Sequence, residues 1–515
     1  MNGAESMLET LINGGVEVCF SNPGTSEMHM VAAIGKSDKM RSILSLFEGV
    51  CSGAADGYAR MAGKPALTLL HLGPGLSNAS ANLHNAKKAR SPVINLIGDH
   101  ATYHKKYDAP LNSDVIGLSA PVSHWVRNVD SAEALPMDAA EAVQAAMIQP
   151  GQIATLIIPA DCAWDASGAP VAALPRQPNA LAEDAAIDQA VALLNNGRKT
   201  VLMLSHGALT EAGLELVDQV AQATGAKLIC DTFTPKLARG EGRCEVERLG
   251  YFAEQALVQL EDAEQMIMVA TKAPVGFFAY PGKPSEFYPE GCALHTLADV
   301  DQDPLDALTR LVQKLGAEHL SPRRIKLQKP DLASGTLSLE SMARAVGHYL
   351  PTDAIIVDES ATSGAYMPAM TRAAEPHDWL SLTGGSIGYG LPVSIGAAVA
   401  CPDRKVLCLH GDGGAMYTIQ SLWTMARENL DVCVVIFANR KYQILQVELA
   451  RVGAQSMNKR TLDMLDLSNP DLDFVKLAEG MGVSASQATT AEEFNEQLKA
   501  AMQHKGPCLI EAVFD

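Results

Sequence analysis

The sequence lacks several features that would point to a disulfide scaffold or to nucleic-acid binding. Its ten cysteines are scattered without a CxxC pair, as is typical of a reduced cytosolic protein with buried thiols. Lysine and arginine, 40 residues together, form no dense cluster, and the formal net charge is -19. A protein of this charge would repel a phosphate backbone, so nucleic acid is not an expected partner.

The chain also has no uninterrupted apolar stretch of membrane-spanning length. Its first residues, MNGAESMLETLINGGVEVCF, carry acidic side chains where a secretory signal peptide needs a positive segment. We therefore expect a soluble, cytoplasmic protein with no membrane partner.

What the chain does have is the composition of a large globular protein. Of its 515 residues, 47% are hydrophobic and 19% are charged, and this length favours about three domains. Short apolar runs alternate with longer helical patterns, which is typical of parallel α/β sheets. Periodicity is lost over residues 171–184 and 321–336. We predict three doubly wound parallel-sheet domains, at residues 1–170, 185–325 and 337–515.

The stretch HGDGGAMYT, residues 410–418, places a carboxylate between glycines. VLCLH before it predicts a buried strand, AMYTIQSLWTMAREN an amphipathic helix, and VCVVIFA the next strand. Asp412 and Asn439 each follow one of these strands, so both should lie at the carboxyl edge where open parallel sheets bind ligands. Carboxylate and amide oxygens suit Mg²⁺ better than zinc.

The residues after Asp412 favour a phosphate group as partner of that metal. Gly413 and Gly414 would let the backbone approach a phosphate, and a helix beginning near Ala415 would direct free N–H groups at it. An ordinary strand-to-helix turn would also explain an Asp-Gly pair. GDG followed, after 25 residues, by Asn439 resembles the metal and diphosphate motif of thiamine-diphosphate (ThDP) enzymes. This resemblance implies a third metal ligand, the main-chain oxygen of Lys441.

A second stretch, SLFEGVCSGAADGYARMAGKPALTLLHLGPGLSN, resembles the pyrimidine-binding domain of the same family. The family glutamate at the Glu48 position hydrogen-bonds the aminopyrimidine ring and assists removal of the thiazolium proton. A solvated glutamate at a helix start is the alternative interpretation. Glu48 and Asp412 lie in domains that come from different subunits in the family. The resemblance therefore implies a homodimer or homotetramer with active sites between subunits.

Two segments of the third domain resemble further cofactor contacts. In LTGGSIGYGLPVSIGAA, Ile387 aligns with the bulky residue that supports the bent cofactor, and Gly385 with the residue whose carbonyl accepts from the pyrimidine amino group. In VDESATSG, Thr362 would contact the diphosphate, although a helix cap explains it as well. The implied cofactor-binding residues are Glu48, Thr362, Gly385, Ile387, Gly413, Gly414, Ala415 and Asn439.

The resemblance spans nearly the whole chain and is to the superfamily of acetolactate synthase, benzoylformate decarboxylase and pyruvate oxidase. It implies ThDP and Mg²⁺ as cofactors and a small-molecule 2-oxo acid as substrate. FSNPGTSE resembles the benzoylformate decarboxylase loop that carries a substrate-binding serine, here Thr25. LLHLGPG keeps His71 at the position of a catalytic histidine, which makes it the leading proton-transfer candidate; a core histidine is the alternative.

Several substrate-side features of these relatives are missing. The second histidine of the decarboxylase is expected near KAPVGFFAYPGKP, where residues 277–279 are Phe-Phe-Ala. His100 or His104 could compensate, with surface histidines as the alternative. Acetolactate synthases usually have Phe-Gln-Glu where residues 110–112 are Pro-Leu-Asn. Features of their FAD site are also missing, so FAD is doubtful.

We therefore predict a ThDP- and Mg²⁺-dependent 2-oxo acid decarboxylase or carboligase, which releases an aldehyde or forms an acyloin. The alternatives are an acetolactate synthase-like large subunit that condenses two pyruvates, a flavin-dependent 2-oxo acid oxidase, and a non-catalytic cofactor-binding scaffold. The predicted catalytic residues are Glu48, His71 and Thr25, and the predicted metal ligands are Asp412, Asn439 and Lys441.

Overall fold

The structure, a computed structural model, describes residues 1–454 and 458–514. Residue 515, the end of the predicted third domain, lies outside the described residues. Three sheets dominated by parallel strands follow one another along the chain, each flanked by helices. The predicted α/β class with three parallel-sheet units is confirmed.

The first sheet has six strands, all parallel to their neighbours. They are β1 (Val18–Asn22), β2 (Arg41–Leu44), β3 (Ala66–His71), β4 (Val93–Asp99), β5 (Trp125–Asn128) and β6 (Ile153–Pro159). The helices are α1 (Gly3–Asn13), α2 (Met28–Lys36), α3 (Glu48–Ala62), α4 (Leu72–Ala89), α5 (Val115–Ser119), α6 (Leu135–Ala146) and α7 (Ala160–Trp164). The strand order is β2-β1-β3-β4-β6-β5, which places β1 at the centre of the β2-β1-β3 group.

The central sheet is smaller and is also parallel. Its segment contains β7 (Thr200–Leu204), β8 (Lys227–Cys230), β9 (Leu237–Arg239), β10 (Glu247–Arg248), β11 (Gln265–Val269) and β12 (Ala293–Ala298). The helices are α8 (Asp184–Leu194), α9 (Glu211–Thr224), α10 (Ala253–Leu260) and α11 (Pro304–Leu315). The strand order is β10-β8-β7-β11-β12, so β9 belongs to a different sheet.

The third sheet has seven strands. Six come from its own segment: β13 (Ala354–Glu359), β14 (His377–Ser381), β15 (Val406–Gly411), β16 (Val432–Ala438), β17 (Ser484–Ala488) and β18 (Cys508–Val513). The helices are α12 (Leu339–Tyr349), α13 (Met367–Met370), α14 (Gly390–Ala400), α15 (Asp412–Ala415), α16 (Ser421–Arg427), α17 (Gln443–Arg451), α18 (Lys459–Asp463), α19 (Phe474–Gly480) and α20 (Ala491–Gln503). The order is β17-β18-β16-β15-β13-β14-β9, with β9 antiparallel to β14.

Helices α3 and α14 pack against each other through small residues and join the first and third units. A Cβ at Gly396 would lie 1.9 Å from the carbonyl oxygen of Ala54, and a Cβ at Gly57 would lie 2.1 Å from that of Val393. One buried apolar cluster includes side chains of both helices and of strands in both sheets. The small residues of these two segments are therefore needed for close helix packing.

Most strands agree with the sequence pattern because central parallel strands are buried on both faces and are continuously apolar. One local prediction differs from the structure. The apolar run before Glu48 predicts a strand over residues 43–47, but the strand there is β2, which ends at Leu44. Residues 171–183 and 321–338, all described, form neither helix nor strand, as predicted for the two linkers.

Candidate active site

The N-terminal sheet brings three predicted residues to one edge. Thr25 follows β1, Glu48 begins α3, and His71 is the last residue of β3. Because β2, β1 and β3 are parallel neighbours, their carboxyl ends lie side by side. Thr25 is exposed, whereas Glu48 and His71 are half-buried. The backbone before Thr25 touches the His71 ring, since a Cβ at Gly24 would lie 2.3 Å from Nδ1.

The carboxylate of Glu48 faces the first two turns of α4, the helix that follows β3. Its Oε2 accepts a hydrogen bond from Nδ2 of Asn78 at 2.9 Å. A Cβ at Gly75 would lie 3.2 Å from Oε1 of Glu48, so glycine gives the carboxylate its space there. Glu48 is therefore held at the sheet edge with part of its surface still open to a ligand.

Glu27 is a site residue that the sequence analysis missed. Its Oε2 lies 2.8 Å from Nδ1 of His71 and accepts the N–H of Gly24, also at 2.8 Å. The side chain is fully buried, and Oε1 has no hydrogen-bond partner among the described residues. Burial raises the pKa of Glu27, and the contacts with Gly24 and His71 oppose that rise. Gly98 makes room for it, because a Cβ there would overlap Oε1.

This contact has a consequence for the chemistry of His71. When Glu27 is ionised it can only accept, so Nδ1 of His71 carries the proton of the shared hydrogen bond. Nε2 is then the nitrogen free to take or give a proton at the sheet edge. Glu27 lies only two residues after Thr25 in the NPGTSE loop, and this position could have identified it as a candidate site residue from the sequence.

The third sheet brings the predicted metal ligands to its own carboxyl edge. Asp412 follows β15 and Asn439 follows β16, which are parallel neighbours. Asp412 accepts the N–H of Gly413 at Oδ1, 2.7 Å away, and the N–H of Arg440 at Oδ2, 2.6 Å away. Oδ1 of Asn439 accepts the N–H of Lys441 at 3.2 Å. The three residues are adjacent, and their role as metal ligands stays a prediction.

The carboxylate of Asp412 is nearly enclosed by protein. Asp412 is 5% exposed, and burial raises its pKa, while the N–H groups of Arg440 and Gly413 oppose this shift. Across residues 1–454 and 458–514, no three His, Cys, Asp or Glu side chains form a group that could hold a metal ion. The predicted ligand set is of another kind, with one carboxylate, one amide oxygen and one backbone oxygen.

The predicted helix beginning near Ala415 is wrong. Helix α15 starts at Asp412 and ends at Ala415, and α16 begins only six residues later, at Ser421. Close packing also requires glycine at positions 413 and 414, independently of any phosphate. A Cβ at Gly413 would lie 2.3 Å from the Tyr442 ring, and a Cβ at Gly414 would lie 2.8 Å from Oε1 of Glu359. A long helix dipole directed at a phosphate is therefore not part of this site.

Glu359 and His410 form a buried pair beside Asp412, which the sequence analysis also missed. Glu359 ends β13 and accepts the N–H groups of Gly388, Tyr389 and Gly390 at 2.6, 2.7 and 2.6 Å. Its Oε2 lies 3.0 Å from Nε2 of His410. Burial of His410 opposes protonation, but Glu359 outweighs it and raises the pKa of His410. The pair fixes the start of α14 next to the metal-ligand edge.

The remaining predicted cofactor contacts lie around the same edge. Gly385 has φ +74°, and a Cβ there would lie 2.7 Å from Cζ of Phe277, so both conformation and space require glycine. Ile387 has an exposed side chain two residues later. Thr362 lies half-buried in the short 3₁₀ turn Ala361–Gly364 after β13. These placements are compatible with a ligand lying across the ends of β13, β14 and β15.

The two other candidate histidines lie after β4. Their ring centroids are 5.6 Å apart, His104 is exposed and His100 is half-buried. Nε2 of His100 is buried without a hydrogen-bond partner among the described residues. A surface role therefore fits His104 but not His100.

Comparison with known proteins identifies the class. Residues 1–126 match the family model "Thiamine pyrophosphate enzyme, N-terminal TPP binding domain", and residues 361–512 match "Thiamine pyrophosphate enzyme, C-terminal TPP binding domain". The chain belongs to this family of thiamine pyrophosphate enzymes. Both half-sites described above lie within or beside the matched ranges.

Individual relatives cover the full length. The chain is 50% identical over 514 residues to a Mycobacterium tuberculosis protein named "Putative acetolactate synthase large subunit IlvX", covering 100% of this chain and 99% of the relative. It is 29% identical to the benzoylformate decarboxylase of Pseudomonas aeruginosa, covering 98% and 97%. A solved ThDP-dependent 4-hydroxybenzoylformate decarboxylase of Rhodococcus jostii RHA1 has the same fold, with a TM-score of 0.85, 24% identity and full coverage of both chains.

Within residues 1–454 and 458–514, no helix is both long and apolar enough to cross a bilayer.

Proposed function

We propose that this protein is a ThDP- and Mg²⁺-dependent enzyme that decarboxylates a 2-oxo acid and then releases an aldehyde or forms an acyloin. The observation that carries the proposal is the presence of two complementary sheet edges. One edge presents Glu48, Thr25 and His71, and the other presents Asp412, Asn439 and Lys441. The family supplies the cofactor, and these residues supply its contacts.

The metal edge fits Mg²⁺. Asp412 is nearly enclosed, and it accepts one hydrogen bond at each carboxylate oxygen, from the backbone N–H groups of Gly413 and Arg440. Each oxygen therefore keeps a further lone pair for a cation. Asn439 and the backbone of Lys441 add the neutral hard oxygens that magnesium prefers. A divalent ion there would compensate a buried negative charge.

The chemistry supplied by bound ThDP is addition to a carbonyl and stabilisation of the electron pair left when CO₂ departs. Glu48 would hold a proton against the pyrimidine ring, with Asn78 fixing the carboxylate. Gly385 and Ile387 would orient the ring system, and Thr362 would contact the diphosphate. Each of these roles is a proposal for this chain.

His71 is the proposed proton carrier for the reacting carbon. Glu27 holds its Nδ1, which leaves Nε2 directed away from the buried carboxyl group. The hydroxyl of Thr25 lies on the same edge and can donate to a substrate carboxylate. A proton delivered by Nε2 would yield an aldehyde, whereas a second carbonyl compound in the same place would yield an acyloin.

An acetolactate synthase activity is the second candidate, because the 50% identical relative carries that name. Incubation with pyruvate separates the two: rapid formation of acetolactate would favour the synthase. An aldehyde product, or no product from pyruvate while a larger 2-oxo acid reacts, would favour the decarboxylase. A flavin-dependent oxidase is a further alternative, and purified protein with bound yellow flavin would support it. We propose that the enzyme works without FAD.

We further propose a cytoplasmic homodimer or homotetramer with each active site between subunits. Exposed apolar side chains stand beside both edges, as expected of surfaces that a second copy covers. They are Leu46 near Glu48, and Ile387, Met416 and Tyr417 near Asp412. No nucleic acid or membrane partner is part of this proposal.

The central test is Glu48→Gln, which removes the acid while keeping the size of the side chain. We expect turnover to fall below about 1% of wild type, since general acid–base catalysis contributes roughly 10²–10⁴-fold. Mg²⁺-dependent ThDP binding, measured by calorimetry, should persist. Glu133→Gln, at an exposed position, is the control and should retain wild-type turnover. Retained turnover in Glu48→Gln would refute the proposed mechanism.

A further inference from the structure

A cluster of aromatic side chains from the central unit stands beside Gly385, in the segment that follows β14 of the third sheet. We call Phe233, Tyr251, Phe277 and Phe278 the aromatic wall. The ring centroid of Phe277 lies 5.7 Å from Phe233, 5.6 Å from Tyr251 and 5.1 Å from Phe278. These distances are those of favourable edge-to-face and tilted ring pairs. The wall is thus a packed unit, although two of its members remain open to solvent.

The wall touches the proposed cofactor site through Phe277. The absent Cβ of Gly385 leaves space that the Phe277 ring tip uses, at 2.7 Å from the Cβ position. Phe277 is 44% exposed and Phe278 is 55% exposed, so both rings present apolar surface, and that of Phe277 lies beside Gly385. Exposed phenyl rings cost free energy in water unless a ligand or partner covers them.

The wall is held at a fixed position relative to the metal edge. Arg451, the last residue of α17, lies over the rings of Phe252 and Tyr280, 4.5 and 4.9 Å from their centroids. Its Nη2 is 2.7 Å from Oε2 of Glu254 on α10. Phe252 directly follows Tyr251 of the wall, and Tyr280 lies two residues after Phe278. Since α17 begins two residues after Lys441, the contacts of Arg451 link these parts of the central unit to the chain that carries the predicted metal ligands.

The chemistry of the wall restricts what it can accept. Three members are phenyl rings, and burial raises the pKa of Tyr251 to about 12, so the wall carries no charge and releases no proton near neutral pH. An uncharged aromatic surface favours a flat or bulky apolar group through area burial and ring stacking. A methyl group would leave most of the exposed phenyl surface uncovered.

We propose that the aromatic wall binds the side chain of the substrate, and that the substrate is a 2-oxo acid with an aromatic or bulky apolar substituent. This inference rests on the proposed function, because Gly385 marks the reaction site only if the cofactor lies there. Phe277 is the specificity-determining residue, placed between Gly385 and the rest of the wall. His71 and Glu48 approach from the other sheet edge and contribute the proton chemistry.

The test compares phenylglyoxylate with pyruvate in the holoenzyme loaded with ThDP and Mg²⁺. Wild type should have the higher kcat/KM for phenylglyoxylate. Phe277→Ala should lower that value by roughly 10–100-fold, mainly through KM, because the loss of apolar pocket surface has effects of this size. Its kcat/KM for pyruvate should change by less than about threefold. Leu294→Ala on strand β12, where Leu294 is 42% exposed, is the matched control and should change neither value.

A binding measurement separates this inference from the proposed function. Benzoate, which cannot react, should bind the holoenzyme more tightly than acetate in calorimetry, and Phe277→Ala should remove the difference while Phe277→Leu keeps part of it. Equal binding of benzoate and acetate by wild type, or a higher kcat/KM for pyruvate, would overturn the inference even if 2-oxo acids are turned over. Failure of ThDP and Mg²⁺ to bind would instead overturn the proposed function.

Discussion

Glu27 determines which nitrogen of His71 is left without a carboxylate partner. The carboxyl group is fully buried, its Oε2 holds Nδ1 of His71, and Oε1 has no described partner. Such an arrangement costs stability whenever the carboxyl group ionises, because burial raises its pKa. A buried glutamate that lowers the stability of the fold is reasonable if its charge orients a reacting histidine.

We predict that Glu27→Gln lowers kcat by about 100-fold and leaves KM nearly unchanged, since an amide no longer enforces one tautomer of His71. The folded carboxyl group has a raised pKa, so wild type is most stable below the ordinary glutamate pKa and loses stability as pH rises through the raised value. Glutamine cannot ionise, so the Glu27→Gln variant does not lose stability in this way as pH rises. The variant should therefore unfold at the same or a higher temperature than wild type at pH 7, as measured by calorimetry.

The double variant with His71→Gln provides the control for that prediction. If Glu27 acts through His71, Glu27→Gln should have little further effect once His71 is absent. Additive losses of kcat in the double variant, or a loss in Glu27→Gln that appears in KM alone, would contradict the positioning role.

For individual residues, the sequence predicted where single site residues lie better than it predicted which residues contact each other. Asp412 and Asn439 could be placed because each directly follows an apolar strand. Glu27 could not be paired with His71, because their contact depends on the register of β1 and β3, which are separated along the chain by α2, β2 and α3. Phe277 looked like a missing histidine in the sequence, and only the fold shows the ring against Gly385.

At the scale of elements, the contact between α3 and α14 sets the geometry of the site. Glu48 begins α3, and α14 follows the loop that holds Gly385 and Ile387. Nδ2 of Asn82 donates to the carbonyl of Gly49 at 2.9 Å and to that of Gly388 at 3.2 Å, which ties the two helix starts together. A change in helix spacing would therefore be transmitted to the cofactor contacts.

We predict that Gly396→Ala separates these helices. The new Cβ would lie 1.9 Å from the carbonyl oxygen of Ala54, a backbone atom that cannot rotate away. We expect a loss of at least about 3 kcal/mol in unfolding free energy, the upper range for overpacking. Affinity for ThDP should fall with it. Chemical denaturation and calorimetric titration would measure the two effects.

Gly480→Ala is the matched control for that substitution. Gly480 ends α19, and a Cβ there would meet nothing within 4 Å. Since alanine favours helix more than glycine, this variant should be as stable as wild type or more so. A Gly396→Ala protein as stable as Gly480→Ala would show that the helices can adjust, against our interpretation of the packing.

Elements were predictable where local pattern and tertiary environment agree. Strands β15 and β16 match the apolar runs VLCLH and VCVVIFA that predicted them, because buried parallel strands need continuous apolar sequence. The helix expected near Ala415 is interrupted because residues 416–420 have tertiary contacts: Oγ1 of Thr418 donates to the carbonyl of Gly388 at 2.9 Å. Strand β9 could not be predicted, since its three residues pair with a strand of another unit.

At the scale of the whole molecule, the chain carries two half-sites at the edges of two different sheets. Glu48 bonds to Asn78 in the first unit, and Asp412 bonds to Gly413 and Arg440 in the third. Among the hydrogen bonds of the described residues, none joins Glu48 to Asp412 or Asn439. The resemblance to the family implies that these domains meet between subunits, so we propose that one chain supplies the acid of one active site and the metal ligands of another.

We predict that two inactive variants, Glu48→Gln and Asp412→Ala, regain activity when coexpressed. In a mixed dimer, one site receives both substitutions and the other receives neither, so that site is wild type. Random pairing makes half of the dimers mixed, so the activity should be about a quarter of wild type. Steady-state assays on the total coexpressed protein would measure it, and mixed dimers isolated through a different tag on each chain should reach about half of wild type. If each active site were built within one chain, every site would contain a substitution and the mixture would stay inactive.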